Sequence, residues 1–130
     1  MKKVLVVDDN QLVGKLVELY LGKLGCDVDV CNTPFGVLNK VKEYQPDVVL
    51  LDMKMPGLSG RSVAGLLKKN ENGITCKTVL FSSEDEKVQR ELLEEGLVDG
   101  YFLKGPSFDG LKETIDRVLG TGSGATLCEA

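Results

Sequence analysis

Short apolar runs alternate with stretches of helical periodicity along the chain. Lys3–Val7 is a valine-rich run, too short for a helix and closed by Asp8-Asp9-Asn10. Leu12, Leu16, Tyr20 and Leu24, with Val13, Val17 and Leu21, recur at i, i+4, i+8. That stripe predicts an amphipathic helix from about 11 to 24, capped by Asn10 or Asp9 and stopped at Gly25. Asp27–Cys31 alternates polar residues with Val28 and Val30 and predicts a strand. Thr33 then reads as a helix cap with Pro34 at the first helical position. Val37, Leu38, Val41 and Tyr44 face inward on that helix, and Gln45-Pro46 ends it.

Asp47–Leu51 is a continuous apolar run after its aspartate, as expected of a strand covered on both faces. The segment 53–60, with Pro56, Gly57 and Gly60, cannot be regular structure. A helix with Val63, Leu66 and Leu67 inward follows and fades at Asn70-Glu71-Asn72-Gly73. Thr78–Phe81 is a fourth strand. Ser83 and Glu86 have capping-box spacing before a helix carrying Val88, Leu92 and Leu93. Gly100–Leu103 is a fifth strand, and Leu111, Ile115, Val118 and Leu119 mark a last helix. Five strand–helix alternations with right-handed crossovers predict an α/β, doubly wound five-stranded parallel sheet with helices on both faces. One domain, 1–119, precedes a flexible Gly/Ser-containing tail, 120–130.

Composition narrows the chemistry. The 130 residues, 42% hydrophobic and 28% charged, suit one globular domain. No apolar run approaches the ~20 residues that span a bilayer. The start resembles a signal peptide only until two aspartates close it, so a cytoplasmic protein with no membrane contact is expected. A net charge of −4 and no basic cluster argue against direct nucleic-acid binding; Lys68-Lys69 read as the solvated end of a helix. Cys26, Cys31, Cys76 and Cys128 lack metal-ligand spacing and read as small buried or half-buried thiols. Histidine is absent, which excludes Ser-His-Asp and Cys-His catalysis, a His zinc ligand and a phosphohistidine on this chain.

In such a sheet, ligands bind beyond the carboxyl ends of the strands. There the sequence places Asp8-Asp9, Asp52, Ser82-Ser83 and Lys104. Singly, each has a structural reading: Asp8 and Asp9 as helix caps, Asp52 as a turn former, Ser82 as part of a cap, Lys104 as a surface lysine. Together at one rim they point to chemistry. Three carboxylates within a few ångströms repel, and a hard divalent cation offsets them best. An oxygen-only donor set favours Mg2+ (or Mn2+) over zinc. A carboxylate beside such an ion can act as nucleophile toward a phosphoryl group, with Lys104 and Ser82 placed to stabilise the developing charge.

These residues resemble response-regulator receiver domains. Val4–Asn10 is similar to the family's first strand and acidic pair. Asp52-Met53-Lys54-Met55-Pro56-Gly57-Leu58-Ser59-Gly60 matches its D-x-x-M-P-x-x-x-G. Val79–Ser83 looks like its fourth strand with the hydroxyl residue, and Gly100–Lys104 like its fifth strand, switch aromatic and lysine. The resemblance covers 2 to about 119. It implies a flavodoxin-like sheet of order 2-1-3-4-5 and a phospho-accepting switch of a two-component system, not a conventional enzyme. Asp52 would be the phosphoacceptor. Asp9 and Asp52 would bind the metal directly, with the Lys54 backbone carbonyl as a further ligand and Asp8 acting through water or as a second carboxylate. Lys104 would bind the phosphoryl group, Ser82 would close toward it, and Tyr101 would follow from an outward to an inward rotamer. The donor would be a histidine kinase or histidine phosphotransfer protein. The face over 84–119 would meet a downstream protein or fused output domain, and a phosphorylation-dependent homodimer is compatible with the family.

Two departures stand out. The order Lys104-Gly105-Pro106 inserts a residue where the family has Pro after the lysine, so a remodelled loop with Lys104 still in place is expected. The run Gly96–Gly100 is one residue longer than usual. Lys54 and Glu84 are expected to face each other across the site mouth and restrict attacking water. Competing functions fit less well. An aspartyl phosphatase wants D-x-D at one strand end. A flavodoxin-type module needs a Ser/Thr/Gly-rich loop where Asp8-Asp9-Asn10 would repel phosphate. An adaptor that no longer accepts phosphate would normally have a damaged acidic cluster.

Overall fold

A computed structural model describes residues 2–69, 76–83, 86–105 and 107–120. The expected fading of the third helix at 70–73, Glu84, Pro106, Cys128 and the tail from 121 onward lie outside the described residues.

Five strands and five helices alternate: β1 Lys3–Val7, α1 Gln11–Lys23, β2 Asp27–Cys31, α2 Val37–Tyr44, β3 Val48–Leu51, α3 Gly60–Lys69, β4 Lys77–Ser82, α4 Glu86–Glu94, β5 Gly100–Leu103 and α5 Leu111–Leu119. The strands form one parallel sheet in the order β2-β1-β3-β4-β5. Alternation along each strand divides the apolar residues between two cores. Leu5, Val7, Val49, Leu51 and Leu80 meet Val41 of α2, Val63 and Leu67 of α3 and Leu92 of α4. Val4, Val6, Val48, Leu50, Val79 and Phe81 meet Val17 and Leu21 of α1 and Leu111 and Ile115 of α5. The central strands are buried on both faces, which is why β1 and β3 read as near-continuous apolar runs.

The helices correct the sequence reading in three places. On α1 the buried residues are Gly14, Val17 and Leu21, whereas Leu12, Leu16 and Leu24 are exposed. The apolar surface of α1 is wider than the face it packs. Gly14 sets the rotation: a Cβ there would lie 2.7 Å from Val30 Cγ1, so the bare backbone is what lets α1 approach β2. α2 begins at Val37 rather than Pro34. Gly36, at φ 82°, adopts a left-handed conformation that a helix cannot include, and the Thr33 hydroxyl instead accepts the Phe35 N–H at 3.2 Å in a local turn. On α3, Ala64 takes the buried place expected for Leu66, which is exposed.

The C-terminal rim is where the order reverses. Adjacent β1 and β3 run toward helices that leave on opposite faces, opening a crevice between their ends. The register pairs Val7 with Leu51, so the next residues, Asp8 and Asp52, leave adjacent strands side by side. Gly60 closes the β3–α3 connection against this rim: its N–H donates to the Met53 carbonyl at 2.8 Å, and a Cβ would fall 2.2 Å from the Asp52 carbonyl oxygen. A side chain there must push the backbone that carries Asp52.

Gly60→Ala is therefore expected to destabilise by about 1–3 kcal/mol. Gly65→Ala in the same helix, with no neighbour within 4 Å of the new Cβ, is expected to stabilise by about 0.5–1 kcal/mol. Urea unfolding of the two variants checks the opposite signs.

Candidate functional site

The site is built on the ends of β1, β3, β4 and β5. Asp8 directly follows β1 and is fully buried. Its surroundings satisfy it from several sides. Its N–H donates to the Cys31 carbonyl at 3.1 Å, its carbonyl accepts Asn32 Nδ2 at 3.1 Å, and its Oδ1 accepts the Asn10 N–H at 2.9 Å. Asn10 in turn caps α1, its Oδ1 accepting from the Leu12 and Val13 N–H groups. Asp9, the other half of the acidic pair, is exposed. Asp52 is 6% exposed, and its N–H donates to the Val7 carbonyl at 2.9 Å.

Carboxylate oxygens of Asp8, Asp9 and Asp52 all lie within 4.8 Å of one another. Lys104 reaches into this cluster from the end of β5. Its Nζ lies 2.6 Å from Asp8 Oδ2 and 3.4 Å from Asp52 Oδ1. The ammonium also sits 5.2 Å from the centroid of the Phe81 ring, over its face. The residue inserted after it, Gly105, leaves the lysine within reach of Asp52.

Burial pushes the Asp52 carboxyl above the ordinary aspartate value; Lys104 draws it back down, while Asp8 and Asp9 push it further up. Among the described residues, the Lys104 ammonium against three carboxylates leaves a net negative pocket. The donors are all oxygens, without histidine or thiolate, so the pocket fits a hard divalent cation such as Mg2+ or Mn2+.

Ser82 ends β4 and is buried, with its carbonyl accepting the Lys104 N–H at 2.9 Å. Tyr101 on β5 is half-buried, and its hydroxyl donates to Glu86 Oε2 on α4 at 2.9 Å in an exposed position. That bond and some burial raise the phenol above its ordinary value. Lys54, two residues past Asp52 in the β3–α3 connection, is exposed. The structure thus brings Asp8, Asp9, Asp52 and Lys104 together and sets Ser82 beside them on the strand that pairs with both β3 and β5. The Asn32 and Asn10 contacts to Asp8 escaped sequence reasoning; nothing in the local pattern at Asn32 signals a bond 24 positions back.

Residues 4–116 match the response regulator receiver domain family. Protein PilG of Pseudomonas aeruginosa is 32% identical over 83 residues, covering 64% of this chain and 62% of PilG. The polar-differentiation response regulator DivK of Brucella ovis is 28% identical over 92% of this chain and 97% of DivK. The autoinducer 1 sensor kinase/phosphatase LuxN of Vibrio campbellii aligns with 98% of this chain, which spans only 15% of LuxN. Among solved structures, the response regulator TrrA of Thermotoga maritima, in complex with Mg2+-BeF, is 32% identical with a TM-score of 0.79, covering 91% of this chain and 99% of TrrA. Chemotaxis protein CheY4 of Vibrio cholerae shares the fold, with a TM-score of 0.81 at 22% identity over 91% of this chain and 98% of that one. The chain belongs to the response-regulator receiver-domain family. It is a receiver domain of two-component signalling with a phosphorylation-switch role. No described helix is long and apolar enough to cross a membrane.

The raised Asp52 carboxyl has a stability consequence. Its folded-state value exceeds the unfolded one, so its contribution to stability falls as pH rises through that window and stays unfavourable above it. Asp52→Asn is expected to raise the Tm of the metal-free protein at neutral pH. Mg2+ is expected to raise the wild-type Tm more than that of the variant. Thermal melts in chelator and in Mg2+ check both signs.

Proposed function

We propose that Asp52 accepts a phosphoryl group from a partner phosphohistidine in a Mg2+-dependent transfer and that this shifts the output face. The observation that carries the reading is the buried Asp52 carboxylate flanked by Asp8, Asp9 and the Lys104 ammonium. Asp9 and Asp52, with the Lys54 carbonyl and with Asp8 directly or through water, would hold the cation. When bound, it offsets the charge of the carboxylates and of the phosphoryl oxygens.

The chain's own groups do the rest. An Asp52 oxygen attacks phosphorus, the phosphorus–nitrogen bond of the donor breaks, and an acyl phosphate forms. A histidine kinase or histidine phosphotransfer protein is the donor in signalling, a reading consistent with the absence of histidine from this sequence. Asp8 holds the Lys104 side chain across the pocket, so the ammonium is in place before the phosphoryl oxygens arrive. That preorganisation avoids a reorganisation cost in the transition state.

Ser82 donates its hydroxyl to the phosphoryl group from the end of β4. The Tyr101 ring, tethered outward to Glu86, turns inward as Ser82 closes toward the phosphoryl group. Phosphorylation favours the closed conformer only by the contacts it adds. The output face spans 84–119 and meets a downstream protein or a fused domain, with a phosphorylation-dependent homodimer as one output state. The receiver domain occupies 1–119. A cytoplasmic location without nucleic-acid or membrane contact agrees with the acidic balance.

Intact-mass analysis after treatment with acetyl phosphate and Mg2+ tests this. The wild type gains one phosphoryl group, Asp52→Ala gains none, and Lys104→Met gains it on the order of 10²-fold more slowly. Equal labelling of Asp52→Ala would overturn the assignment.

A further inference from the structure

One buried polar side chain outside the acidic pocket has no role in the phosphoryl chemistry described above. Gln89 on α4 is fully buried, while Glu86, Lys87, Arg90 and Glu91 around it in sequence are exposed. It faces the sheet three residues before Leu92, where an apolar residue would be the ordinary occupant. A buried primary amide is costly unless its polar atoms find partners. Gln89 Nε2 donates to the Ser82 carbonyl at 3.3 Å. The same oxygen accepts the Lys104 N–H at 2.9 Å. A single carbonyl therefore ties the end of β4 to the end of β5 and to α4.

We infer that Gln89 is a positioning residue that couples the Ser82 backbone to α4. This role rests on the phosphoacceptor reading of Asp52. If Ser82 moves toward an occupied Asp52, its carbonyl turns, and the amide of Gln89 must follow or lose a buried partner. A side chain of the same length without a donor would fill the space but transmit no direction. Hydrogen bonding is directional, whereas apolar contact is not. The coupling therefore depends on the amide and not on the volume of the residue.

Amide NMR of the full chain with Mg2+ and beryllofluoride, a phosphoryl mimic, tests the inference. In the wild type, signals of Asp52, Ser82 and α4 move. In Gln89→Met, the Asp52 and Ser82 changes persist while the α4 changes fall by about threefold or more. A role confined to stability would lower Tm without separating these two sets of signals. Equal α4 changes in the variant would overturn the inference. Should Gln89→Met fail to fold, the side-chain amide signals of Gln89 in the wild type serve instead. They move on adding the mimic if the inference holds, and unmoved signals overturn it. A wild type whose Asp52 signal never responds would instead overturn the phosphoacceptor reading itself, and this role with it.

Discussion

The repulsion among three carboxylates at the rim of the sheet is the constraint on which the rest of the structure turns. Their oxygens lie within 4.8 Å of one another, and two of the three side chains are nearly or fully removed from water. In a poorly screened pocket such charges repel unless cations offset them, and burial together with Asp8 and Asp9 holds the Asp52 carboxyl above its ordinary value. Among the described residues, Lys104 meets Asp8 and Asp52, and one ammonium does not offset three carboxylates. That deficit is what makes the pocket capable of holding a divalent cation.

The scaffold holds this unfavourable arrangement because its support lies elsewhere. β1 and β3 are buried on both faces, and their register places Asp8 beside Asp52 whatever the local electrostatic cost. Asp8 is further fixed by Asn10, Asn32 and Lys104, so it acts as the pocket's anchor. Asp9 stays at the surface, where a cation can arrive. Gly60 lets the β3–α3 connection fold tightly over the backbone of Asp52. Stability resides in the two cores, and the charge repulsion is gathered at the rim, the usual division between scaffold and site.

Much of this was legible in the chain. Short valine-rich runs ending in aspartates, separated by helical periodicity, define a parallel α/β sheet and the end at which its chemistry lies. The residues that meet there could be named because strand ends converge by topology. What could not be read is how each helix is turned. Leu12, Leu16 and Leu66 look like core residues because the apolar rows of α1 and α3 are wider than their contacts. Only a packed neighbour, such as Val30 against Gly14, decides which row faces in. Thr33-Pro34 carried a valid start signal that Gly36 overrode. The Lys104–Asp8 pair joins residues 96 positions apart, and Gln89 is hidden among the charged residues of α4. Such links depend on tertiary geometry and leave no local pattern.

The acidic rim is one of two sites on the sheet where aspartates gather. At the opposite ends of the strands, Asp27, Asp47 and Asp99 also accompany β2, β3 and β5, but their carboxylates are not drawn into one cluster of three. Substoichiometric Mn2+ added to isotope-labelled protein distinguishes the two ends by paramagnetic broadening of amide signals. The account predicts selective loss of the signals of Asp9, Asp52 and Lys54, with those of Asp27, Asp47 and Asp99 intact. Broadening spread evenly over both ends, or none at the rim, would contradict it.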